Sequence, residues 1–297
     1  MCRFLVYKGR SEILLSKLVT EPSHSILTQS YDSRLRLDTR RPVNGDGFGV
    51  GFYPDPNISP EPCIFTSTLP AWNCENLERL ASKTCSNLVF AHVRASTEGA
   101  LADNNCHPFQ HNTLMWMHNG NLGGWNYIKR PLSESLNDKW YLGVKGGTDS
   151  EWAFALFLDL MEKEGADPSS DPGPDGFGQA FLRQVMFKTI AKINEFIRQI
   201  PEKHKVTDLE TRSLLNFAVT DGHTVTVLLH PIVDEFYNDD PNHDRSSVYA
   251  LSKGFAPPAV VTPKKSTAAA RASLALANGP TKLDSLAQKV TQLELAS

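Results

Sequence analysis

The sequence contains no apolar run approaching the roughly 20 residues that a membrane-spanning helix needs, which excludes a helical bilayer span. Positive charge is not in surplus: 30 Lys and Arg against 33 Asp and Glu leave a net charge of -3, unsuited to a nucleic-acid surface. Cysteine is sparse and odd in number, and Cys63, Cys74, Cys85 and Cys106 lack the paired short spacing of zinc ligands, so no metal site is expected. A reduced, cytoplasmic setting fits that usage. No leading targeting segment is expected, because Arg3 interrupts the first apolar stretch and nothing nearby resembles a cleavage site. The glycine-rich stretch from Asn44 to Tyr53 has no helical pattern after it and so is not a dinucleotide loop; no cofactor is expected. What remains is a globular chain of 297 residues, 40% hydrophobic and 21% charged, long enough for one large domain or two small ones.

The most informative residue present is Cys2, directly behind the initiator methionine. A small second residue normally lets the methionine be removed, and the mature chain would then begin with a residue carrying both a thiol and a free α-amine. Such a residue brings its own base. Thiols titrate near about 8.5 and α-amines near about 7.7 to 8.0, so each is partly in its useful form at neutral pH. Phe4-Leu5-Val6-Tyr7 behind it, bounded by Lys8-Gly9, reads as a short buried strand that would order the terminus.

Further along, Glu21 to Asn44 is polar and carries Arg34, Arg36, Arg40 and Arg41, which reads as a solvated loop. Asn44-Gly45-Asp46-Gly47-Phe48-Gly49 alternates glycine with other residues, as in a turn feeding a strand that another backbone approaches closely. Leu88 to Val93 is a buried strand delivering Arg94, and Leu114 to His118 another, delivering Asn119-Gly120 to a tight turn. Thr148 and Glu151 have capping-box spacing before a helix over Trp152–Met161 that is apolar nearly all round and therefore sandwiched. A second helix is expected from about Gly178 to Ile200, and Asp167 to Asp175 between them reads as a flexible insertion. Arg212–Thr220 and His223–His230 around Asp221-Gly222 form a hairpin signal. Strands, two helices, then strands again imply an antiparallel α+β layered domain. Taken singly, Arg94 also reads as a surface arginine, Asn119-Gly120 as a plain turn and Asp149 as a helix-start charge.

Together, Cys2, Asn44-Gly45-Asp46-Gly47-Phe48-Gly49, Arg94-Ala95-Ser96-Thr97, Asn105-Cys106-His107-Pro108-Phe109, His118-Asn119-Gly120-Asn121-Leu122 and Gly147-Thr148-Asp149-Ser150-Glu151 resemble the class II glutamine amidotransferases, which are N-terminal nucleophile hydrolases. Glu21-Pro22-Ser23-His24-Ser25 and Asp32-Ser33-Arg34-Leu35-Arg36 are similar to the fungal amidotransferase-like subunit of the glutathione-degradation complex. The resemblance implies a four-layer αββα sandwich of antiparallel sheets over residues 2–254. It implies Cys2 as the nucleophile attacking a γ-glutamyl carbonyl, and Asn119 and Gly120 as the oxyanion hole. Arg94 then matches the arginine that takes the substrate α-carboxylate, Asp149 the carboxylate that takes its α-ammonium, and Thr97 and His107 line the pocket. His107 before Pro108 also reads as a structural histidine bonded to backbone, and His118 as a strand-end orienter.

The chain departs from the family pattern at Ala95, where an aromatic is common, and at Glu98, which replaces a histidine. No sugar-isomerase, phosphoribosyl or synthetase domain is recognised after this region, so no acceptor site for ammonia is expected in these residues. Where the family adds closing strands, this chain runs into Ala256–Pro280, a linker-like composition, and then Leu283, Leu286, Val290 and Leu293, which suit a short amphipathic helix. The leading expectation is a cytoplasmic hydrolase that cleaves glutathione to glutamate and cysteinylglycine with a peptidase-like partner. Two alternatives stay open: a glutaminase half supplying ammonia to a separate synthase, and a catalytically inactive regulatory subunit.

Overall fold

The computed structural model describes residues 2–32, 43–96, 99–204, 211–229 and 247–252. Arg34, Arg36, Arg40, Arg41, Thr97, Glu98 and the tail beyond 252 lie outside the described residues. One sheet holds β1 (Arg3–Leu14), β2 (Phe48–Phe52), β3 (Cys63–Ser67) and β4 (Cys85–Val93) in the order β1-β4-β2-β3. The other holds β5 (Phe109–His111), β6 (Leu114–Asn121), β7 (Leu214–Thr220), β8 (Thr224–Leu229) and β9 (Ser247–Ser252) in sequence order. Every pairing is antiparallel.

Strand alternation distributes side chains among three cores. On β4, Val89, Ala91 and Val93 face the short helices α1 (Ser16–Val19), α2 (Ile26–Tyr31) and α3 (Glu75–Ala81), while Leu88 and Phe90 face the other sheet. On β6, Met115 and Met117 meet Leu88 and Phe90 in that middle layer. Leu114 and Trp116 point the opposite way, into a core built with α4 (Trp125–Ser135), α6 (Asp149–Lys163) and α7 (Gln179–Arg198); α5 (Asp138–Gly143) packs beside α6. Helices, sheet, sheet and helices therefore stack as the αββα sandwich expected from the sequence. The sheets approach closely at β2, where a Cβ on Gly49 would lie 2.2 Å from the His107 carbonyl oxygen; that position admits no side chain. Among the described residues no helix is long and apolar enough to cross a membrane.

Several local expectations shift. The first strand does not end at Lys8-Gly9: after an irregularity between Lys8 and Ile13 it rejoins β4 at Ser86 and Cys85. The segment read as one polar loop from Glu21 contains α2, capped by the Ser25 hydroxyl accepting from Thr28 N at 3.0 Å, with Ile26 buried. The helix over Trp152–Met161 is extended at both ends and buried on all faces, as its composition implied. Its capping box is half formed: Thr148 Oγ1 accepts from Glu151 N, but the Glu151 carboxylate accepts instead from Lys145 N and Gly146 N. The expected insertion, Asp167 to Asp175, contacts the end of β5 and the turn after it: Ser169 Oγ lies 3.0 Å from His111 Nε2, and Asn112 Nδ2 donates to the Ser170 carbonyl at 2.7 Å.

Candidate active site

Arg3 pairs with Val93, so Cys2 lies beside the point where β4 releases the chain into Arg94-Ala95. The Cys2 Sγ accepts from Ala95 N at 3.3 Å and lies 3.6 Å from the Ala95 carbonyl oxygen. The residue keeps some exposed surface, but its sulfur is surrounded by protein. Burial pushes the thiol pKa up; the Ala95 N–H and the Arg94 charge oppose that shift, and Asp149 adds to it. The resting sulfur is thus a thiol, and attack requires a base to take its proton.

Arg94 is 3% exposed, so it is no surface arginine. Its Nη1 donates to the Ala100 carbonyl at 3.3 Å and its Nη2 to Ser96 Oγ at 3.0 Å. The glycine-rich motif holds this loop from the other side: Arg94 N donates to Gly47 O, Asp46 N donates to Arg94 O, and Asp46 Oδ2 accepts from Ser96 N at 2.7 Å. Asp149 opens α6 just after its Thr148 cap, where the helix dipole favours a carboxylate. Its Oδ2 accepts from Leu122 N at 2.7 Å, linking it to the residues that follow β6. Arg94 and Asp149 both act electrostatically on the Cys2 thiol, so three of the expected site residues share one neighbourhood.

Asn119 and Gly120 do not form the expected tight turn. They pair with Asn216 and Leu215 inside β6, and the chain bends only after Asn121. Asn119 takes the parity of Met115 and Met117, facing the middle layer, and its Oδ1 is buried without a partner among the described residues, while its carbonyl accepts from Asn216 Nδ2 at 2.7 Å. A Cβ on Gly120 would fall 1.7 Å from the Leu214 carbonyl oxygen, so only glycine fits. His118 orients the strand end: Nε2 is 2.8 Å from that same carbonyl, which can only accept, so Nε2 carries the hydrogen. Burial lowers the His118 pKa, with Asp149 opposing, and the neutral ring turns its Nδ1 to Ser150 Oγ at 2.9 Å. Ser150 Oγ also lies 3.2 Å from Asp149 Oδ1, so its one proton serves either the histidine or the carboxylate.

His107 is buried, and among the described residues neither ring nitrogen has a hydrogen-bond partner, so the backbone bond its position before Pro108 suggested is not found there. Its ring packs at a tilt against His92, centroids 4.2 Å apart and planes at 35°, and against Phe109 at 4.5 Å and 56°. Burial holds the His107 pKa well below its usual range, with His92, His118 and Arg94 adding to the effect. His92 is pushed down to about 3, chiefly by burial; the His118 backbone opposes this but does not reach hydrogen-bonding geometry. Three neighbours of the site went unread in the sequence: Asp46 and Ser150 sit inside quoted motifs without a role, and His92 is hidden in an apolar strand. Alternation along Leu88-Val89-Phe90-Ala91-His92 was the available signal that His92 faces the other sheet.

A family model described as glutamine amidotransferases class-II matches residues 21–196. The chain is 42% identical over 328 aligned residues to the probable glutamine amidotransferase DUG3 of Saccharomyces cerevisiae, covering 86% of this chain and 90% of that protein. It is 31% identical over 124 residues to an uncharacterized protein of Methanocaldococcus jannaschii, covering 40% and 31% of the two chains. Among solved structures, a glutamine aminotransferase class-II domain protein from Silicibacter pomeroyi superposes with a TM-score of 0.53 at 21% identity, covering 89% of this chain and all of that one, a likeness of fold.

Proposed function

Because this chain belongs to the class-II glutamine amidotransferases, a family of glutamine-hydrolysing enzymes, we propose that it is a γ-glutamyl amide hydrolase whose nucleophile is Cys2 at a processed N-terminus. The observation that supports the reading is that the Cys2 thiol hydrogen-bonds to Ala95, the neighbour of buried Arg94, and feels the charges of both Arg94 and Asp149: a cation and an anion lie near a nucleophile, as an amino acid's α-carboxylate and α-ammonium require.

In this mechanism the α-amine of Cys2 takes the thiol proton as Sγ attacks the γ-carbonyl carbon. The oxyanion formed is held by the Asn119 side-chain amide and the Gly120 N–H, donors worth about 10²- to 10³-fold in rate apiece. Collapse breaks the C–N bond, and the amine's extra proton goes to the leaving nitrogen. A glutamyl thioester remains; water, deprotonated by the same amine, attacks it, releasing glutamate and restoring the thiol. Thr97 and His107 complete the pocket. The substrate we favour is glutathione, cleaved to glutamate and cysteinylglycine in the cytoplasm with a peptidase-like partner, on the likeness of residues 21–25 and 32–36 to the fungal subunit. The domain carrying this chemistry is taken as 2–254, with the composition of residues 255–297 suited to a linker and a short amphipathic segment.

Glutamate release from glutathione and from glutamine, measured with and without a candidate peptidase partner, separates this reading from a glutaminase half, which family membership itself favours. Cys2→Ala is expected to abolish release from either substrate. Normal turnover by that variant would sink the mechanism. Intact mass addresses the regulatory-subunit alternative: retained Met1 leaves no free Cys2 amine.

A further inference from the structure

Asn105 lies two residues before His107, and its side chain bonds both to the loop that follows Arg94 and to the residues leading into Asp149. It is 4% exposed, and both ends of its amide are used. Nδ2 donates to the Ala100 carbonyl at 2.8 Å, the same oxygen that accepts from Arg94 Nη1 at 3.3 Å. Oδ1 accepts from Gly147 N at 3.0 Å, two residues before Asp149 and next to its Thr148 cap. A Cβ placed on Gly99 would sit 3.2 Å from Thr148 Cγ2, 3.3 Å from Asn105 Nδ2 and 3.5 Å from Arg94 Nη2, so the arginine loop and the start of α6 converge on this amide.

We propose that Asn105 is a positioning residue that sets the separation between Arg94 and Asp149, and thereby selects ligands bearing an α-carboxylate and an α-ammonium on one carbon. The inference rests on the reading of Arg94 and Asp149 as the groups that hold those two charges. Its physical basis is pre-organisation. A ligand with both charges gains the second contact cheaply only when the two partners are already at the right distance, whereas a ligand with one charge is indifferent to that distance. A single planar amide bonded at both ends suits the task, because its donor and acceptor are a fixed distance apart. An aspartate in its place would keep the acceptor for Gly147 N and lose the donor to Ala100.

The test measures competitive inhibition of the full-length enzyme by L-glutamate, by glutarate, which lacks the ammonium, and by 4-aminobutyrate, which lacks the α-carboxylate. Asn105→Ala and Asn105→Asp are each expected to weaken glutamate by about tenfold while leaving glutarate and 4-aminobutyrate within about twofold. Equal weakening of all three ligands, or of none, overturns the proposal. Asn105→Asp, of the same size, decides the matter if Asn105→Ala fails to fold. Arg94→Lys and Asp149→Asn serve as reference arms. Should they lose glutamate while the Asn105 variants keep it, the clamp alone is refuted; should they keep it too, the assignment of the charged ends falls first.

Discussion

Replacing Gly120 with alanine is a perturbation whose cost follows from the strand geometry. The added Cβ would stand 1.7 Å from the Leu214 carbonyl oxygen and 2.6 Å from its carbon, both backbone atoms of the neighbouring strand. An ordinary carbon–oxygen contact begins near about 3.3 Å, so β7 must retreat by about 1.6 Å at this point. That retreat opens the end of the β6–β7 ladder, where Gly120 faces Leu215 and Asn121 faces Leu214. It also pulls the Leu214 carbonyl away from His118 Nε2, a contact of 2.8 Å. Losing two ladder bonds and the histidine bond, at about 1 kcal/mol each, amounts to about 3 kcal/mol. Typical domains hold only about 5–15 kcal/mol, so Gly120→Ala is expected to lower the melting temperature by about 6–12 °C. Urea unfolding followed by tryptophan fluorescence, with buried Trp116 as a reporter, measures the difference. A variant as stable as the parent, active or not, would refute the reasoning, because the strands would then have room for a methyl group.

Protonation of buried histidines should make stability depend on pH. In the unfolded chain a histidine takes up a proton near about 6.5, whereas folded His92 does so only at about 3 and His107 well below its usual range. The unfolded state therefore binds more protons below about 6.5, and stability is expected to fall as pH drops from there toward 3, by up to about 1.4 kcal/mol per pH unit for His92 with His107 acting in the same direction, a trend that unfolding at pH 7.5 and 5 would test. Thr148→Ala removes the cap over Glu151 N and should cost about 1 kcal/mol, read as a loss of about 2–4 °C in melting temperature. Trp116→Ala leaves a void among Phe154, Phe157 and Phe217 and should cost about 3–5 kcal/mol in urea unfolding, while Tyr127→Ala, on the surface, should cost under about 1 kcal/mol.

Local chemistry was enough to read the strands that carry the site. Leu88 to Val93 and Leu114 to His118 are apolar runs long enough to be buried strands, and the residues they deliver, Arg94 and Asn119, stand where the runs end. The helices α6 and α7 were legible from composition and period. Helix α4 was not read, since Pro131 lies inside it and interrupts an otherwise periodic Trp125, Ile128 and Leu132. The Asn119-Gly120 pair was misread as a turn because asparagine followed by glycine is a turn signal on sequence alone. What overrules it is β7, nearly a hundred residues away in the chain, which pairs with both residues and needs glycine for space.

By itself the sequence determined the layered α+β class, the order of the motifs and the chemistry available at each: a thiol near the terminus, a guanidinium at a strand end, a carboxylate at a helix start. These are properties of residue type and short-range period, which neighbours along the chain settle. Only the tertiary structure decided which of those groups share a neighbourhood, that Arg94 is buried, that His107 packs against His92 with no bonding partner among the described residues, and that Asp46 and Asn105 both hydrogen-bond to the arginine loop. Such facts depend on residues brought together by sheet pairing and layer packing, and no local pattern encodes a distance across two sheets.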